Sequence, residues 1–432
     1  MFNKSFFLSL CIAIFLTTCS PNKNTLSKST KNNNSIEGKV LAGYQGWFNA
    51  KGDNSGLGWK HYSNKEGFKP GSTNIDFWPD LTEYSKNYTY KTPFKYSDNK
   101  TAYLFSSADY KTVSLHFKWM KEYGIDGVFV QRFSVALTRE KKRKKNLFKV
   151  FDNCFKSAKE HDRLISLMYD LSGSKSTNVV EIIKKDWKKL VNKHELNDPK
   201  NPNILTHKGK PIVSIWGVGF KDGRDYTLED VSVLIDFFKN DPTYGGCNVL
   251  LGVPTGWRTL SRDATTDTQL HDIIKSADIV HPWTPGRYSN LESADLHKKT
   301  IVEDKKWCDE NELLYIPVVF PGFSWSNQKR NPKLFNQIPR LKGDFLWRQF
   351  YNTISSDVKT IYVAMFDEMD EGTCIFKIDN YPPESEKSNF LTYEGLPSDY
   401  YLWLTGKAGK MLRKEIPMTK LKPSYSIKVN EK

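Results

Sequence analysis

Thr360-Ile361-Tyr362-Val363-Ala364-Met365-Phe366-Asp367-Glu368-Met369-Asp370-Glu371-Gly372-Thr373 is an apolar run that ends abruptly in four carboxylates. A continuous run of this length, rich in β-branched and aromatic residues, reads as a strand buried on both faces. The same unit recurs along the 432-residue chain. Val40–Trp47, Gly127–Phe133, Leu164–Asp170, Pro211–Gly217, Asn248–Pro254, Asp278–Trp283 and Leu314–Phe320 are also short apolar runs ending in polar or aromatic residues. Helical patterns alternate with them. Tyr110–Tyr123 sets Val113, Phe117 and Met120 on one face before Gly124, and Val179–Val191, Leu228–Lys239, Phe345–Ser355 and Tyr400–Arg413 follow suit. Eight strands alternating with eight helices predict an α/β fold, a (β/α)8 TIM-type barrel. Residues 49–107 form a long insertion after the first strand, expected to cap or line one end. An open, doubly wound sheet would need a nucleotide-type glycine loop after its first strand. Gly43-Tyr44-Gln45-Gly46-Trp47 is not one.

In such a barrel the chemistry gathers at the C-terminal ends of the strands. Those ends carry Tyr44, Gln45 and Trp47, then Gln131 and Arg132, then Tyr169 and Asp170, and Trp216. Further on come Thr255, Trp257 and Arg258, His281 and Trp283, Trp325, and the four acids Asp367, Glu368, Asp370 and Glu371. Acids crowded within five positions raise one another's pKa, so that one stays protonated while another is ionised. That division of labour is what glycoside cleavage requires. A calcium loop or a solvated acidic turn is the structural alternative, and the EF-hand spacing is absent. Twelve Trp and 21 Tyr exceed what a core alone needs, and such rings suit the C–H faces of sugars.

The acidic stretch resembles the Asn-Glu-Trp-His-Glu-Gly-Thr motif of the endo-α-mannosidase family, glycoside hydrolase family 99, and more broadly the family 71/99-like proteins. Gly43-Tyr44-Gln45-Gly46-Trp47-Phe48, with Trp59 and His61 downstream, resembles that family's first-strand motif and its Trp-x-His. Asp126-Gly127-Val128, Val319-Phe320-Pro321-Gly322-Phe323-Ser324-Trp325 and Gly343…Trp347 add to the likeness, which spans Val40 to Lys377. The resemblance implies retaining hydrolysis with participation of the substrate's own 2-hydroxyl. Glu368 would deprotonate that hydroxyl, so that O2 attacks C1 and forms a 1,2-anhydro sugar. Glu371 would protonate the leaving oxygen and then activate the water that opens the epoxide. Asp367 replaces the family's Asn, and Met369 and Asp370 replace its Trp and His. The resemblance therefore carries the catalytic pair and not the identity of the sugar.

Tyr44, Trp47, Trp59, His61, Tyr169, Asp170, Trp257, His281, Trp283, Trp325, Asp367 and Asp370 are expected to contact substrate. Arg132, Arg258 and Arg287 add positive charge near the rim, and a guanidinium fork reads carboxylate or sulfate bidentately. These arginines make an acidic or sulfated polysaccharide a substrate candidate beside an α-mannan. Pairing with Asp170, Asp367 and Asp370 is their alternative employment. No cofactor or metal is expected.

The net charge of +15 admits nucleic acid, a membrane surface or an acidic polymer as partner. No zinc-finger spacing, RNP-type strand or phosphate loop accompanies it, which argues against nucleic acid. The densest basic run, Arg139 to Lys145, reads as a solvated helix face. At the N-terminus Met1-Phe2-Asn3-Lys4 precedes an apolar stretch, Ser5 to Phe15, too short to span a bilayer. Leu16-Thr17-Thr18-Cys19 then resembles a bacterial lipobox. The expected organisation is a lipoprotein signal over residues 1–18, Cys19 as the acylated residue, and a flexible tether over 19–36. A catalytic domain follows over 37–420, with a tail over 421–432. This places a monomeric protein at the cell envelope, held to the membrane by its lipid and acting on carbohydrate. A barrel that presents glycans without cleaving them is the competing reading. Cys154, Cys247, Cys308 and Cys374 lack metal-ligand spacing and read as buried thiols.

Overall fold

The computed structural model describes Met1 and residues 34–63 and 67–425. The signal segment, Cys19 and most of the expected tether lie outside the described residues. The strands are β1 (Lys39–Tyr44), β2 (Thr89–Lys95), β3 (Thr101–Phe105), β4 (Gly127–Phe133), β5 (Leu164–Asp170), β6 (Thr206–His207), β7 (Lys210–Trp216), β8 (Asn248–Val253), β9 (Ile279–Pro282), β10 (Leu314–Tyr315), β11 (Val318–Val319) and β12 (Thr360–Val363). The helices are α1 (Tyr110–Tyr123), α2 (Lys141–His161), α3 (Val179–His194), α4 (Leu228–Asn240), α5 (Gln269–Ser276), α6 (Leu291–Glu310), α7 (Ser326–Lys329), α8 (Asp344–Ile354) and α9 (Tyr400–Leu412).

The main sheet runs β10-β9-β8-β7-β5-β4-β1-β12-β11, with the short β6 paired antiparallel to β7 outside that path. Its ring closes through one interrupted strand. Leu314 and Tyr315 pair in parallel with Ile279 and Val280, whereas Val318 and Val319 pair in parallel with Tyr362 and Val363. Ile316-Pro317 lies between the halves. Pro317 has no N–H to give a ladder, and its carbonyl accepts instead from the Tyr362 amide. The expected seventh strand, Leu314–Phe320, is thus one strand in two pieces, and the eight-stranded parallel barrel is complete.

Alternation along each strand divides the core in two. Leu41, Phe129, Met168, Ile212, Leu250, Ile316 and Tyr362 fill the barrel interior. Val40, Ala42, Val128, Val130, Leu167, Val213 and Leu251 face outward into the helix layer. Gly43 is required on the inner side, because a Cβ there would lie 2.1 Å from the Tyr362 hydroxyl. Gly406 serves α9 in the same way, since a Cβ there would lie 1.8 Å from the Tyr123 carbonyl. α1 ends at Gly124 in the left-handed conformation, and α4 begins with a capping box between Thr227 and Asp230.

Two expected boundaries shift. Asn34–Ile36 belongs to the fold rather than to the tether: Ile36 is fully buried and its amide donates to the Thr206 carbonyl. An apolar side chain with a strand partner gains more from burial than a solvated tether would. At the other end, Tyr425 packs its ring on Trp403 and donates to Asp399, so the tail's first residues are docked. The insertion after β1 contains the β2–β3 hairpin and folds over the C-terminal end of the barrel. The Asp76 amide donates to the Met369 carbonyl, and the Asp76 carboxylate accepts from the Ser326 and Asn327 amides. The four described cysteines are free and buried.

Candidate functional site

Beyond β12 the chain continues through Phe366, whose amide donates to the Gly43 carbonyl, and then turns back on itself. The Thr373 and Cys374 amides both donate to the Glu368 carbonyl. This turn delivers all four acids to the barrel mouth, each to a different task. Asp367 accepts from the Gln45 and Gly46 amides at 2.8 Å each, one per carboxylate oxygen. It is therefore a bracket between the last strand and the loop after the first, not the substrate contact expected. Glu368 is held at both oxygens: Gln45 Nε2 donates to Oε1 and Thr373 Oγ1 to Oε2, each at 2.8 Å. Asp370 Oδ2 faces His61 Nδ1 at 3.4 Å. Glu371 is half-buried, and its carboxylate accepts no hydrogen bond from the described residues.

Burial dominates the electrostatics. It pushes Asp367 up to about 7 against the lowering effect of its two amide donors. Asp370 rises to about 7 for the same reason, with the Lys60 charge opposing. Burial and then the Asp370 charge bring Glu371 to about 7, partly offset by Lys329. Glu368 is raised well above its usual value by burial, then by the charges of Glu371 and Asp370. The bonds to Glu368 point the other way, because two donors at its oxygens favour the ionised form. The repulsive contributions vanish once Glu371 and Asp370 are protonated. Glu368 thus carries two donors that favour its ionised form against burial, and Glu371 carries none among the described residues. His61, which stacks on Trp47 at 4.0 Å, is kept neutral by burial and by the nearby Lys60 and Arg143 charges.

Strand parity sorts the remaining expected residues. Gln45, Gln131, Asp170 and Trp216 share the inward register of their strands, and each has a neighbour of opposite parity that points away. Tyr44 is fully buried, with its hydroxyl 2.9 Å from His116 Nδ1. Tyr169 donates to Asp186 at 2.8 Å, and Arg132 makes a fork to both oxygens of Asp186 at 2.6 and 2.7 Å. These three residues serve the strand–helix interface and not the rim. Trp257 and Arg258 also turn outward, to Asp304 and Glu303 on α6. Arg287 pairs with Asp263 at 2.7 Å. All three arginines expected to read an acidic substrate are thus engaged within the protein, by carboxylates other than those foreseen. His281 does lie inside the barrel, below the mouth. It is fully buried, its Nδ1 is 3.2 Å from the Ile316 carbonyl, and desolvation holds it near 3. Trp59 packs on Tyr62 and Phe68, behind the wall formed by Trp47 and His61.

Several expected residues do meet at the mouth. Trp283 lies edge-on to Trp216 at 5.3 Å, and Trp325 packs edge-on to Phe323 at 5.0 Å, both pairs above the inner core. Burial raises Asp170 to about 6, opposed by its bonds with Ser172. Six polar atoms around this mouth are buried without a partner among the described residues: Nε1 of Trp47, Trp216 and Trp325, Oε1 of Gln45 and Gln131, and Asp370 Oδ1. Buried polar groups are satisfied in native proteins, by solvent or ligand where protein does not serve. Three N–H donors and three oxygen acceptors left open near the C-terminal strand ends match the hydrogen-bonding groups of a polyhydroxylated ligand. Sequence reasoning named Gln45, Gln131 and Trp216 only as strand ends. It missed Thr373 and Lys60 as parts of the site, and parity was the available signal for the strand residues.

No family model and no curated protein matches this chain. Among solved structures, the fold is similar to that of the glycoside hydrolase family 99 endo-α-mannosidase from Bacteroides thetaiotaomicron. Its complex with bis-tris-propane superposes with a TM-score of 0.62 and 15% identity, covering 88% of this chain and 98% of that one. A second structure of that enzyme gives 0.60 and 14% over the same shares. At this level of identity the likeness establishes a common barrel architecture along almost the whole of the mannosidase.

Proposed function

We propose that this protein is a glycoside hydrolase acting at the mouth of the barrel, with Glu371 as proton donor and Glu368 as base. The observation that carries the reading is the pair itself. Glu368 is fixed at both oxygens by Gln45 and Thr373, while the carboxylate of Glu371, three positions on in the same loop, accepts no hydrogen bond from the described residues and is raised to about 7. An acid with a pKa near the working pH both holds its proton and gives it up readily. The surrounding indole N–H groups and amide oxygens suit sugar hydroxyls, and the mannosidase likeness supports an α-mannoside-type substrate. By that likeness Glu368 takes the proton of the 2-hydroxyl, O2 attacks C1 and the C1–O bond to the leaving sugar breaks. Glu371 passes its proton to the departing oxygen, then draws a proton from the water that opens the 1,2-anhydro ring, while Glu368 returns its proton to O2. The internal nucleophile is already positioned, which removes much of the entropic cost. The lipobox-like Leu16–Cys19 supports placing the enzyme on the cell envelope by a lipid anchor.

The test compares wild type with Glu368→Gln and Glu371→Gln on α-mannans and on acidic polysaccharides, reading released oligosaccharides by mass. Product from wild type, reduced by on the order of 10²–10⁴-fold in each variant, is the expected outcome. Glycan binding by all three proteins with no product from any would reassign the protein as a glycan-binding module.

A further inference from the structure

A cavity of about 270 Å³ opens beside the carboxylates, between the ends of β1 and β4 and the first turns of α2. Gln45 and His61 line it, so it shares a wall with Glu368 and Asp370. Its volume lies just below the ~300–1,000 Å³ typical of ligand pockets, room for one sugar ring rather than a long chain. Trp47 and Phe133 supply aromatic surface. Lys60, Arg139 and Arg143 supply charge.

The two arginine charges are close enough to be felt at Lys60. The Lys60 amine is lowered by burial and then by the Arg143 and Arg139 charges, with the Asp370 charge opposing. None of the three has a salt-bridge partner among the described residues. Glu140, the one acid in the basic run, pairs with Lys142 instead. Arg132, Arg258 and Arg287, by contrast, are all paired. Arg143 and Lys60 are half-buried at the pocket and Arg139 stands exposed at its edge; Asp370 answers Lys60 alone, so the two arginines bring positive charge that an anion would relieve. The basic run at the start of α2 is therefore not simply a solvated face. Lys141, Lys142, Lys144 and Lys145 are exposed, while Arg143 turns half-buried into the cavity.

We propose that this cavity is a subsite for an anionic sugar, in which Lys60, Arg139 and Arg143 bind a uronate carboxylate or sulfate ester next to the cleavage site. Carboxylate and sulfate present the same chemistry to two guanidinium forks and an ammonium. The identification of the ligand as a glycan rests on the hydrolase reading above. The anion requirement rests on the unpaired cations alone.

The experiment measures binding by calorimetry in full-chain Glu368→Gln protein, where turnover does not interfere. The probes are manno-oligosaccharides of one length bearing a single uronate, a single sulfate or no charge, together with inorganic sulfate. The same probes are applied to Glu368→Gln carrying Arg139→Gln and Arg143→Gln, two changes at the entry to α2. At least one charged sugar is expected to bind about tenfold or more tightly than the neutral one, roughly 1.4 kcal/mol. That preference should shrink to under about threefold in the arginine-depleted protein, and should weaken with added salt. Equal affinity for neutral and charged sugars would overturn the proposal, as would a preference that survives loss of both arginines. Inorganic sulfate binding as tightly as the sugars would overturn it too, marking an adventitious ion only. Cleavage of a neutral glycan without charge preference would leave the hydrolase reading standing and this one fallen. Arginine-dependent binding of a charged sugar by a protein that cleaves nothing would do the reverse.

Discussion

Asp370 is the residue on which the acid cluster turns. Its charge is among the causes that raise both Glu368 and Glu371, and its Oδ1 has no protein partner. Asp370→Asn removes that charge while keeping the shape. Ionisation of Glu371 then becomes easier, its pKa falls, and the alkaline limb of the pH–activity profile, expected near 7 in the wild type, should move to lower pH by roughly 0.5–1 unit. A limb that stays in place would show that Asp370 is already neutral across the profile. The same cluster sets a pH dependence of stability. Asp370 and Glu371 sit near 7 in the fold and near 4 when unfolded, so the native state binds more protons across that window. Stability is therefore fullest near pH 4, as far as these groups determine it, declines as pH rises to about 7, and is level above. Glu371→Gln, neutral throughout, should match wild type near pH 4 and exceed it by about 1–3 kcal/mol at pH 8 in urea unfolding. Equal stability at both pH values would mean that burial of Glu371 carries no such cost.

At the scale of elements, the buried Arg132–Asp186 fork joins β4 to α3, with the Tyr169 hydroxyl donating to the same carboxylate. Asp186→Ala leaves a guanidinium buried without its counter-charge and should cost about 3–5 kcal/mol, while Arg132→Met with Asp186→Leu together should lie much closer to wild type. Denaturant midpoints of the single and double variants decide it, and a mild single variant would mean that solvent reaches Arg132. This pair also marks what the sequence could and could not tell. The strands were legible because runs buried on both faces are continuous: Gly127–Phe133 and Leu164–Asp170 fall where the pattern puts them. Arg132 and Tyr169 misled because a fully apolar strand has no polar alternation to announce its inner face. In β4 the inward register passes through Phe129 to Gln131, and in β5 through Met168 to Asp170, so the polar residue of opposite parity necessarily faces a helix. The acids were legible as a cluster, but Asp367 and Glu368 differ in role through hydrogen bonds from Gln45, Gly46 and Thr373. Two of those partners lie more than 300 positions away. The break at Ile316-Pro317 was visible only as a proline in an otherwise ordinary strand.

At the largest scale, the barrel built by the described residues from Asn34 onward has two ends, and the two are closed differently. The C-terminal mouth is covered by the insertion after β1, the Trp325 loop and the acidic turn, all polar enough to receive a ligand. The opposite end is sealed by apolar residues, Ile36 among them. Ile36 belongs to the interior cluster with Leu41 and Leu164; its carbonyl accepts from Thr360 Oγ1 and its amide donates to Thr206. It thus ties the approach to β1 to β12 on one side and to the β6 segment on the other, across the base of the barrel. If this plug belongs to the fold, Ile36→Ala should cost about 2–5 kcal/mol, the range for truncating a buried aliphatic chain. A protein truncated to begin at Glu37 should lose at least as much, whereas one beginning at Asn34 should not. The pH–activity limb near 7 should be unchanged in Ile36→Ala at temperatures where it remains folded, because the plug and the acids occupy opposite ends. Urea unfolding of the four proteins, paired with their activity profiles, separates the two ends. A plug that costs nothing to remove would return residues 34–36 to the tether, and a shifted limb would mean that the barrel transmits packing at its base to the charge state of its mouth.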